Sequence, residues 1–313
     1  MLEPIVYLNG EIVPLSQGKV SIFDLGLVQG AAVTEMIRTF RHQPFRLEAH
    51  LDRLFRSLRC VGFPLETTVD ELRAVVEKVC AHNAALIPEA HDLGIVVFVT
   101  AGLNLTYLGA VGAAAAKVPT LCVHTFPLPF ELWKEKYLTG QHLVTPSIRQ
   151  VPPDSLDPKI KSRSRLHWYL ADRQARLADP QAGALLLDHS GNVTETSTAN
   201  FFIVAEGILR TPSEKTTLGG VSQQVVFELA SQRGIESCRS DFQLYDVLTA
   251  DEAFTSSTPY CLMPVTRVNG QAIGDGKPGP VFQELTAAWS ELVGVDIIQQ
   301  IETGAAERAG NAV

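Results

Sequence analysis

Three short stretches of this chain carry side chains that could do chemistry. Lys161 follows Asp157-Pro158-Lys159-Ile160, and Glu195 stands within Asn192-Val193-Thr194-Glu195-Thr196-Ser197. A lysine becomes a nucleophile when burial or a neighbouring cation lowers its pKa. Composition alone does not set Lys161 apart from the other lysines. The second stretch is Leu218-Gly219-Gly220-Val221-Ser222, directly ahead of an amphipathic run. Its glycines permit a tight turn, and the N–H groups at a helix start, with the Ser222 hydroxyl, would form an anion site. A helix simply capped by Ser222 would read the same way. The third stretch is His50-Leu51-Asp52-Arg53-Leu54. With Leu47, Leu51 and Leu54 on a core-facing stripe, Arg53 falls near a domain edge, where a guanidinium could grip a phosphate with two N–H groups. A surface arginine paired with a carboxylate gives the same pattern.

Several function classes are disfavoured. A net charge of −8 argues against a nucleic-acid partner, which normally meets a basic face. No apolar run reaches membrane-spanning length. Met1 to Asn9 lacks the basic region and long apolar core of a signal peptide, so a cytoplasmic location is expected and the Asn192-Val193-Thr194 sequon is accidental. The five cysteines, Cys60, Cys80, Cys122, Cys238 and Cys261, are far apart and form no CxxC pair. That pattern predicts buried free thiols, with no metal site and no disulfide framework.

The elements that must position these groups follow from periodicity and turn chemistry. Ile5 to Val13 reads as two short strands around Asn9-Gly10. Residues 33–47 read as a second strand pair with His42-Gln43-Pro44 at its turn. Leu47, Leu51, Leu54, Leu58 and Val61 recur at helical spacing, and a further helix runs from about Thr68, with Thr68 and Asp70 as caps, to Asn83. Gly94–Thr100 is a strand with an unbroken apolar middle. Residues 107–119, rich in Gly and Ala, read as a mobile loop or a short alanine helix. A strand resumes at Leu121–Val123, and Phe126-Pro127-Leu128-Pro129-Phe130 suits a linker. Further on come a helix at about 164–177, strands at Ala184–Asp188 and Phe201–Val204 flanking a Ser190-Gly191 turn, a helix from Ser222 to Gln232, a hairpin turn at Asn269-Gly270 and a helix over Pro280–Leu292. The tail from Thr303 to Val313 is expected to fray. Mixed strands and helices in both halves predict two α+β or α/β domains: a smaller one over 1–124, a linker over 125–137 and a larger one over 138–313.

Taken together and in this order, the pieces resemble the class-IV aminotransferases, pyridoxal-phosphate enzymes of fold type IV that include branched-chain and D-amino-acid aminotransferases. The likeness runs from about Tyr7 to Leu292. Tyr7-Leu8-Asn9-Gly10 is similar to the family's opening hairpin, and Gly30 with Glu35-Met36-Ile37-Arg38 to its G…E-x-I-R segment. His50 to Leu54 is similar to its H-x-x-R-L phosphate arginine, Lys161-Ser162 to its cofactor lysine, and Val193-Thr194-Glu195 through Asn200-Phe201 to its glutamate strand. Leu218 to Ser222 is similar to its phosphate turn, Phe254 to Thr258 with Pro264-Val265 to its late loop, and Gly274-Asp275-Gly276-Lys277-Pro278-Gly279 to its final turn. The resemblance implies a cofactor lying between two domains in a homodimer, with the Leu25–Val33 region part of the contact. It implies that Lys161 is the catalytic residue, binding pyridoxal 5′-phosphate and moving a proton between substrate and cofactor. Glu195 would keep the pyridine nitrogen protonated, and Arg53, the N–H groups near Val221 and Ser222, and Thr258 would hold the phosphate.

The resemblance also has departures. Aromatic residues that often precede Gly30 and Glu35 are replaced here by Gln29 and Thr34. A V-T-R-G stretch that carries a substrate-binding arginine in some relatives reads Val99-Thr100-Ala101-Gly102. Arg163 and Arg165 follow the lysine, and Arg163 is the candidate for binding the substrate carboxylate in place of the absent arginine. The expected function is transfer of an amino group between an amino acid or amine and a 2-oxo acid by a ping-pong cycle. The alternative is an aminodeoxychorismate-lyase-like elimination using the same lysine.

Overall fold

The computed structural model describes residues 3–109 and 118–310, and its chain divides into two units. The first comprises Met1–Leu128 with Ile160–Arg165, and the second Pro129–Lys159 with Leu166–Val313. Most of the 107–119 stretch lies outside the described residues. Among those described, no helix is long and apolar enough to cross a membrane.

In the first unit, β1 (Ile5–Leu8) and β2 (Glu11–Pro14) turn on Asn9-Gly10, both at positive φ, as a two-residue hairpin requires. A four-residue helix, α1 (Leu25–Val28), leads into β3 (Ala32–Phe40), which pairs with β4 (Gln43–Pro44). The residues at the turn are Arg41 and His42, both at positive φ, so Gln43 and Pro44 belong to the strand and not to the turn. Two long helices follow, α2 (Leu47–Val61) and α3 (Val69–Ala84), then β5 (Leu93–Thr100), the short α4 (Leu105–Leu108) and β6 (Leu121–Pro127). The cap of α3 is Thr68, reciprocated by Glu71. Strand order is β2-β1-β6-β5-β3-β4. One face of this sheet buries Val33, Ile37, Ile95, Val97, Val99 and Val123 under the apolar stripes of α2 and α3. The expected linker is closely packed: β6 runs through Pro127, and Leu128 and Phe130 are fully buried.

The second unit opens with α5 (Lys134–Thr139) and β7 (Gln141–Val144), then α6 (Leu166–Ala178), β8 (Gly183–Leu187), β9 (Val193–Thr196), β10 (Asn200–Ala205) and β11 (Ile208–Thr211). It continues through α7 (Val221–Gln232), β12 (Ser237–Arg239), α8 (Leu244–Leu248), β13 (Glu252–Ser257), β14 (Cys261–Val268) and β15 (Gln271–Ala272). It ends in α9 (Pro280–Val293) and α10 (Ile297–Gly310). The sheet order β12-β11-β10-β13-β14-β7-β8-β9 is closed by a further pairing of β9 with β10, so six strands form a barrel. Its interior holds Leu143, Leu185, Val193, Phe201, Ile203 and Val265.

Three expectations are corrected. α6 begins at Leu166 and not near 164, because Ser164 is engaged elsewhere, its Oγ donating to Gly30 O at 2.7 Å. The tail does not fray at Thr303: α10 carries it to Gly310, with Ile297, Ile301 and Ala305 buried at helical spacing and Gly304 against Phe130. Two of the five free thiols, Cys60 and Cys238, are exposed.

The final turn illustrates how tightly the second unit is tied. Glu252, buried at the start of β13, accepts from the N–H groups of Val281 (2.9 Å) and Phe282 (3.0 Å) at the first turn of α9. A Cβ at Gly279 would stand 2.1 Å from the Glu252 carboxyl carbon, so only glycine allows that approach. Two charge-assisted bonds at a helix N-terminus are worth about 1.5–3 kcal/mol each. Glu252→Ala is therefore expected to lower unfolding free energy by about 3 kcal/mol, and Glu252→Gln by less, measured by urea denaturation. A loss below about 0.5 kcal/mol, the scale of an ordinary surface substitution, would show that this tie is not needed.

Candidate active site

Side chains alternate along β3, so Val33, Glu35 and Ile37 project from one face toward α2. A carboxylate in that row leaves water for a bed of aliphatic side chains, a costly transfer unless donors meet it. α2 supplies them from residues three apart on one helical face. Arg53 donates from Nε to Oε1 and from one terminal nitrogen to Oε2, each at 2.7 Å, and His50 Nδ1 lies 2.8 Å from Oε2. Burial alone would raise the pKa of Glu35, but the charge and hydrogen bonds of Arg53, with those of His50, outweigh it and bring it to about 2. Burial lowers the pKa of His50. Its contact with Glu35 opposes the shift, while the charges of Arg53 and Lys161 reinforce it. An ionised Glu35 only accepts, so Nδ1 of a neutral His50 carries the donated proton. Arg53 is thus neither a surface residue nor loosely paired, since Glu35 fixes the plane of its guanidinium.

Lys161 and Arg163 lie against the start of β3. Thr34 N donates to Lys161 O and Arg163 N to Ala32 O, both at 2.9 Å, around an antiparallel bridge between Val33 and Ser162. The segment is not a strand beyond Ser162: Ser162 N donates to Ile160 O at 2.7 Å in a tight turn around Lys161, and the chain bends at Arg163. Lys161 N also approaches Ser57 Oγ of α2 at 3.4 Å. Arg163 donates to Thr34 Oγ1 at 3.2 Å, and its guanidinium carbon lies 5.7 Å from the centre of the Phe98 ring. Ala101, at the position of the missing arginine, donates its N–H to Ala31 O at 3.1 Å.

In the second unit, Glu195 near the end of β9 pairs with Asn200 at the start of β10, which is the contact that closes the barrel. The Glu195 carboxylate accepts from Gln150 Nε2 (3.4 Å), Asn200 Nδ2 (3.2 Å) and Leu218 N (3.2 Å). Asn200 Nδ2 also donates to Leu218 O at 2.9 Å, so the residue that leads into the glycine turn is held through both its N–H and its carbonyl. A Cβ at Gly220 would meet Asn200 Oδ1 at 2.0 Å. Glycine there lets the turn close onto the barrel rim and start α7 at Val221. The sequence reading of Ser222 as a helix cap is corrected: the cap is Gly220, no side chain caps the helix, and Val221 and Ser222 are its buried first residues. Half-buried Thr258 follows β13, and its neighbour Ser257 donates from Oγ to Thr198 O at 2.6 Å. Ser256 Oγ and Gln150 Oε1 are buried and meet no hydrogen-bond partner among the described residues.

The predicted residues therefore fall in two groups. Arg53, Lys161 and Arg163 belong to the first unit, and Glu195, Val221, Ser222 and Thr258 to the second. Sequence reasoning missed Glu35 as the clamp on Arg53, although a lone acid in an alternating apolar row marks such a residue. It also missed Gln150, for which no local signal exists, because its role depends on pairing across the barrel.

The Glu35 cluster makes stability depend on pH. Its folded-state pKa lies near 2, against an ordinary 4.5. Ionisation therefore favours the folded state fully above the higher value, and that contribution is lost as pH falls from 4.5 toward 2. Removing the charge strands Arg53 in the interior, which costs about 3–5 kcal/mol for a buried pair. Glu35→Gln should be less stable at neutral pH by that order, and its stability should fall less steeply through the same acid window. Equal slopes in denaturation series at stepped pH would rule out this coupling.

The sequence matches the amino-transferase class IV family over residues 32–268. It is 34% identical to a putative branched-chain-amino-acid aminotransferase of Methanocaldococcus jannaschii, over 92% of this chain and 96% of the relative. It is 29% identical to a D-alanine aminotransferase of Listeria monocytogenes, over 92% of this chain and 98% of the relative. The fold superposes on the crystal structure of a branched-chain amino acid aminotransferase of Escherichia coli with a TM-score of 0.83 at 26% identity, covering 93% of this chain and 95% of the other. A closed mixed barrel, a carboxylate pinned beside a glycine turn and a match spanning most of the sequence lead to one conclusion: this chain belongs to the class IV aminotransferases and is an aminotransferase of fold type IV.

Proposed function

We propose that pyridoxal 5′-phosphate is the cofactor and that Lys161 binds it covalently, in an exchange of amino groups between an amino acid or amine and a 2-oxo acid. The observation that carries this reading is the Glu195 carboxylate, held by three amide donors next to a helix start that no side chain caps. A carboxylate and an anion-binding helix N-terminus at one barrel rim suit a ligand with a protonated ring nitrogen and a phosphate. The buried Ser256 hydroxyl and Gln150 carbonyl oxygen, both unpartnered among the described residues, fit a polar ligand there. Bound in this way, pyridoxal phosphate supplies the electron sink for the carbanion that deprotonation of the substrate leaves.

The chain's own residues then have separable tasks. Lys161 Nζ holds and moves the proton at the substrate carbon. Glu195 keeps the ring nitrogen protonated, and Gln150 and Asn200 hold Glu195 in place. The N–H groups of Val221 and Ser222, together with Thr258, bind phosphate oxygens. Arg53 adds a guanidinium whose plane Glu35 has set, which positions the ligand without taking part in bond breaking. The matches to branched-chain and D-alanine aminotransferases favour transamination over the lyase alternative.

We also propose a homodimer. Val20, Ile22, Phe23, Leu27, Leu105 and Tyr107 are exposed on the first unit, with Phe23 and Tyr107 in edge-to-face contact. An apolar patch of this kind suits a second copy of the chain. Within the expected Leu25–Val33 contact region, Leu27 is exposed, whereas Ala32 and Val33 are buried in β3. The partners are otherwise small molecules, an amino donor and a 2-oxo acid.

Borohydride treatment of the holoenzyme is expected to fix the cofactor to the peptide carrying Lys161, read by mass spectrometry. Lys161→Ala should lose both that label and turnover while keeping its circular dichroism spectrum. A label on any other lysine would overturn the assignment. Glu195→Gln should retain cofactor yet slow the half-reaction by at least a hundredfold, the order of a lost acid–base contribution. An unchanged rate would mean that another residue meets the ring nitrogen.

A further inference from the structure

Arg163 stands apart among the cations of the first unit. Its backbone is fixed by the bridge beside β3, and its side chain is fixed by two neutral contacts, the Thr34 hydroxyl and the face of Phe98. Among the described residues it forms no ion pair with a carboxylate. Its charged and titratable neighbours are Arg165, Cys122 and His124. Arg165 repels it; burial raises the pKa of the Cys122 thiol to about 11, so no thiolate offsets the charge, and burial with the Arg163 charge lowers the pKa of His124, which favours a neutral imidazole. A permanent positive charge therefore stands two residues beyond Lys161, with no carboxylate counter-charge among the described residues. Arg163 is exposed, and a guanidinium tethered by one hydrogen bond and a ring face can receive a carboxylate that arrives from outside.

Thr34 and Arg163 also belong together. Threonine precedes Glu35 where relatives often carry an aromatic ring. On this face of the sheet Thr34 stands opposite Phe98 in register, and the small side chain leaves the ring open to the guanidinium while supplying its hydrogen bond. A phenylalanine at this position would fill that space and remove the hydroxyl. Meanwhile the arginine of the V-T-R-G stretch is replaced by Ala101. The loss of one cation and the admission of another are complementary changes.

We propose that Arg163 binds the carboxylate of the amino-acid and 2-oxo-acid substrates, with Thr34 holding its guanidinium over Phe98. The proposal rests on the transaminase reading above and adds that the enzyme selects acids over simple amines through this residue.

The test uses the holoenzyme and three variants, Arg163→Ala, Arg163→Gln and Thr34→Phe. Donors are L-leucine, L-glutamate and D-alanine, compared with 3-methylbutylamine, which has the leucine side chain and no carboxylate. The readout is the change in cofactor absorbance during the half-reaction. Hexanoate, which has a carboxylate and no amino group, is titrated as a competitive inhibitor. For each variant the apparent KM for the amino acid and the hexanoate inhibition constant should rise at least tenfold. Cofactor dissociation constant and any turnover of 3-methylbutylamine should stay within about twofold, and the melting temperature of the two Arg163 variants should be unchanged. An unchanged hexanoate constant in all three variants overturns the proposal. So does a loss of cofactor affinity, which would assign Arg163 to the phosphate, or a change in oligomeric state, which would assign it to a subunit contact. If the wild-type holoenzyme shows no spectral change with any donor, it is the transaminase reading that fails, a result distinguishable from failure of the Arg163 variants.

Discussion

A carboxylate taken out of water must be met by donors, and in the second unit the meeting of Glu195 organises the rest. Three donors converge on it from three separate stretches of chain: Gln150 before the second domain's helices and strands accumulate, Asn200 across the hairpin, and the Leu218 amide ahead of α7. Because Glu195 and Asn200 are also the residues through which β9 meets β10, satisfying the charge and closing the barrel are one event. The turn at Gly220 is drawn against the rim by the same side chain of Asn200. It follows that α7 is aimed by hydrogen bonding at the rim as well as by the packing of Val225, Val226 and Leu229 along its buried face.

The first unit uses the same physics to a different end. Glu35 is surrounded by aliphatic side chains, and the guanidinium and imidazole of α2 keep it ionised there. A buried ion pair of this type contributes little net stability compared with well-packed apolar residues. What it does contribute is direction, because an arginine clamped through two nitrogens cannot rotate. A cation proposed to meet a phosphate at a fixed place gains from losing that freedom before the ligand arrives.

How much of this was legible in the sequence depended on whether the cause was local. The hairpins at Asn9-Gly10 and Asn269-Gly270, the capping box at Thr68 and the apolar stripe of α2 are dictated by neighbouring residues, and each reads directly. α10 did not, since its small residues look like a tail until Ile301, Gly304 and Ala305 are seen packed. Strands β13 and β14 have no clean alternation because both their faces are covered. The motifs around Arg53, Lys161, Glu195 and Ser222 could be quoted in order, yet their meaning came from the resemblance. The clamp by Glu35 and the support by Gln150 are contacts between distant positions, which no window along the chain contains.

That division bears on how such an enzyme changes its substrate without changing its chemistry. Arg53 and Glu195, proposed as cofactor-binding, are held by networks in which each side chain satisfies another, so a substitution in one strands a buried charge or amide in its partner. Ala101 and Arg163 are under no such obligation, while the side chain of Thr34 is tied only through its hydroxyl, which donates to Val97 O at 2.8 Å. Arg163 touches its neighbours through a hydroxyl and a ring face, both replaceable at small cost, and Ala101 contributes only its backbone N–H to the local fold. Positions with few reciprocal buried bonds are where a family can vary, and Ala101 and Arg163 are among those at which this chain departs from the family pattern. The departures follow from the energetics: Arg53 and Glu195, proposed to hold the cofactor, are tied into the fold, while Arg163, proposed to face the substrate, rests on it.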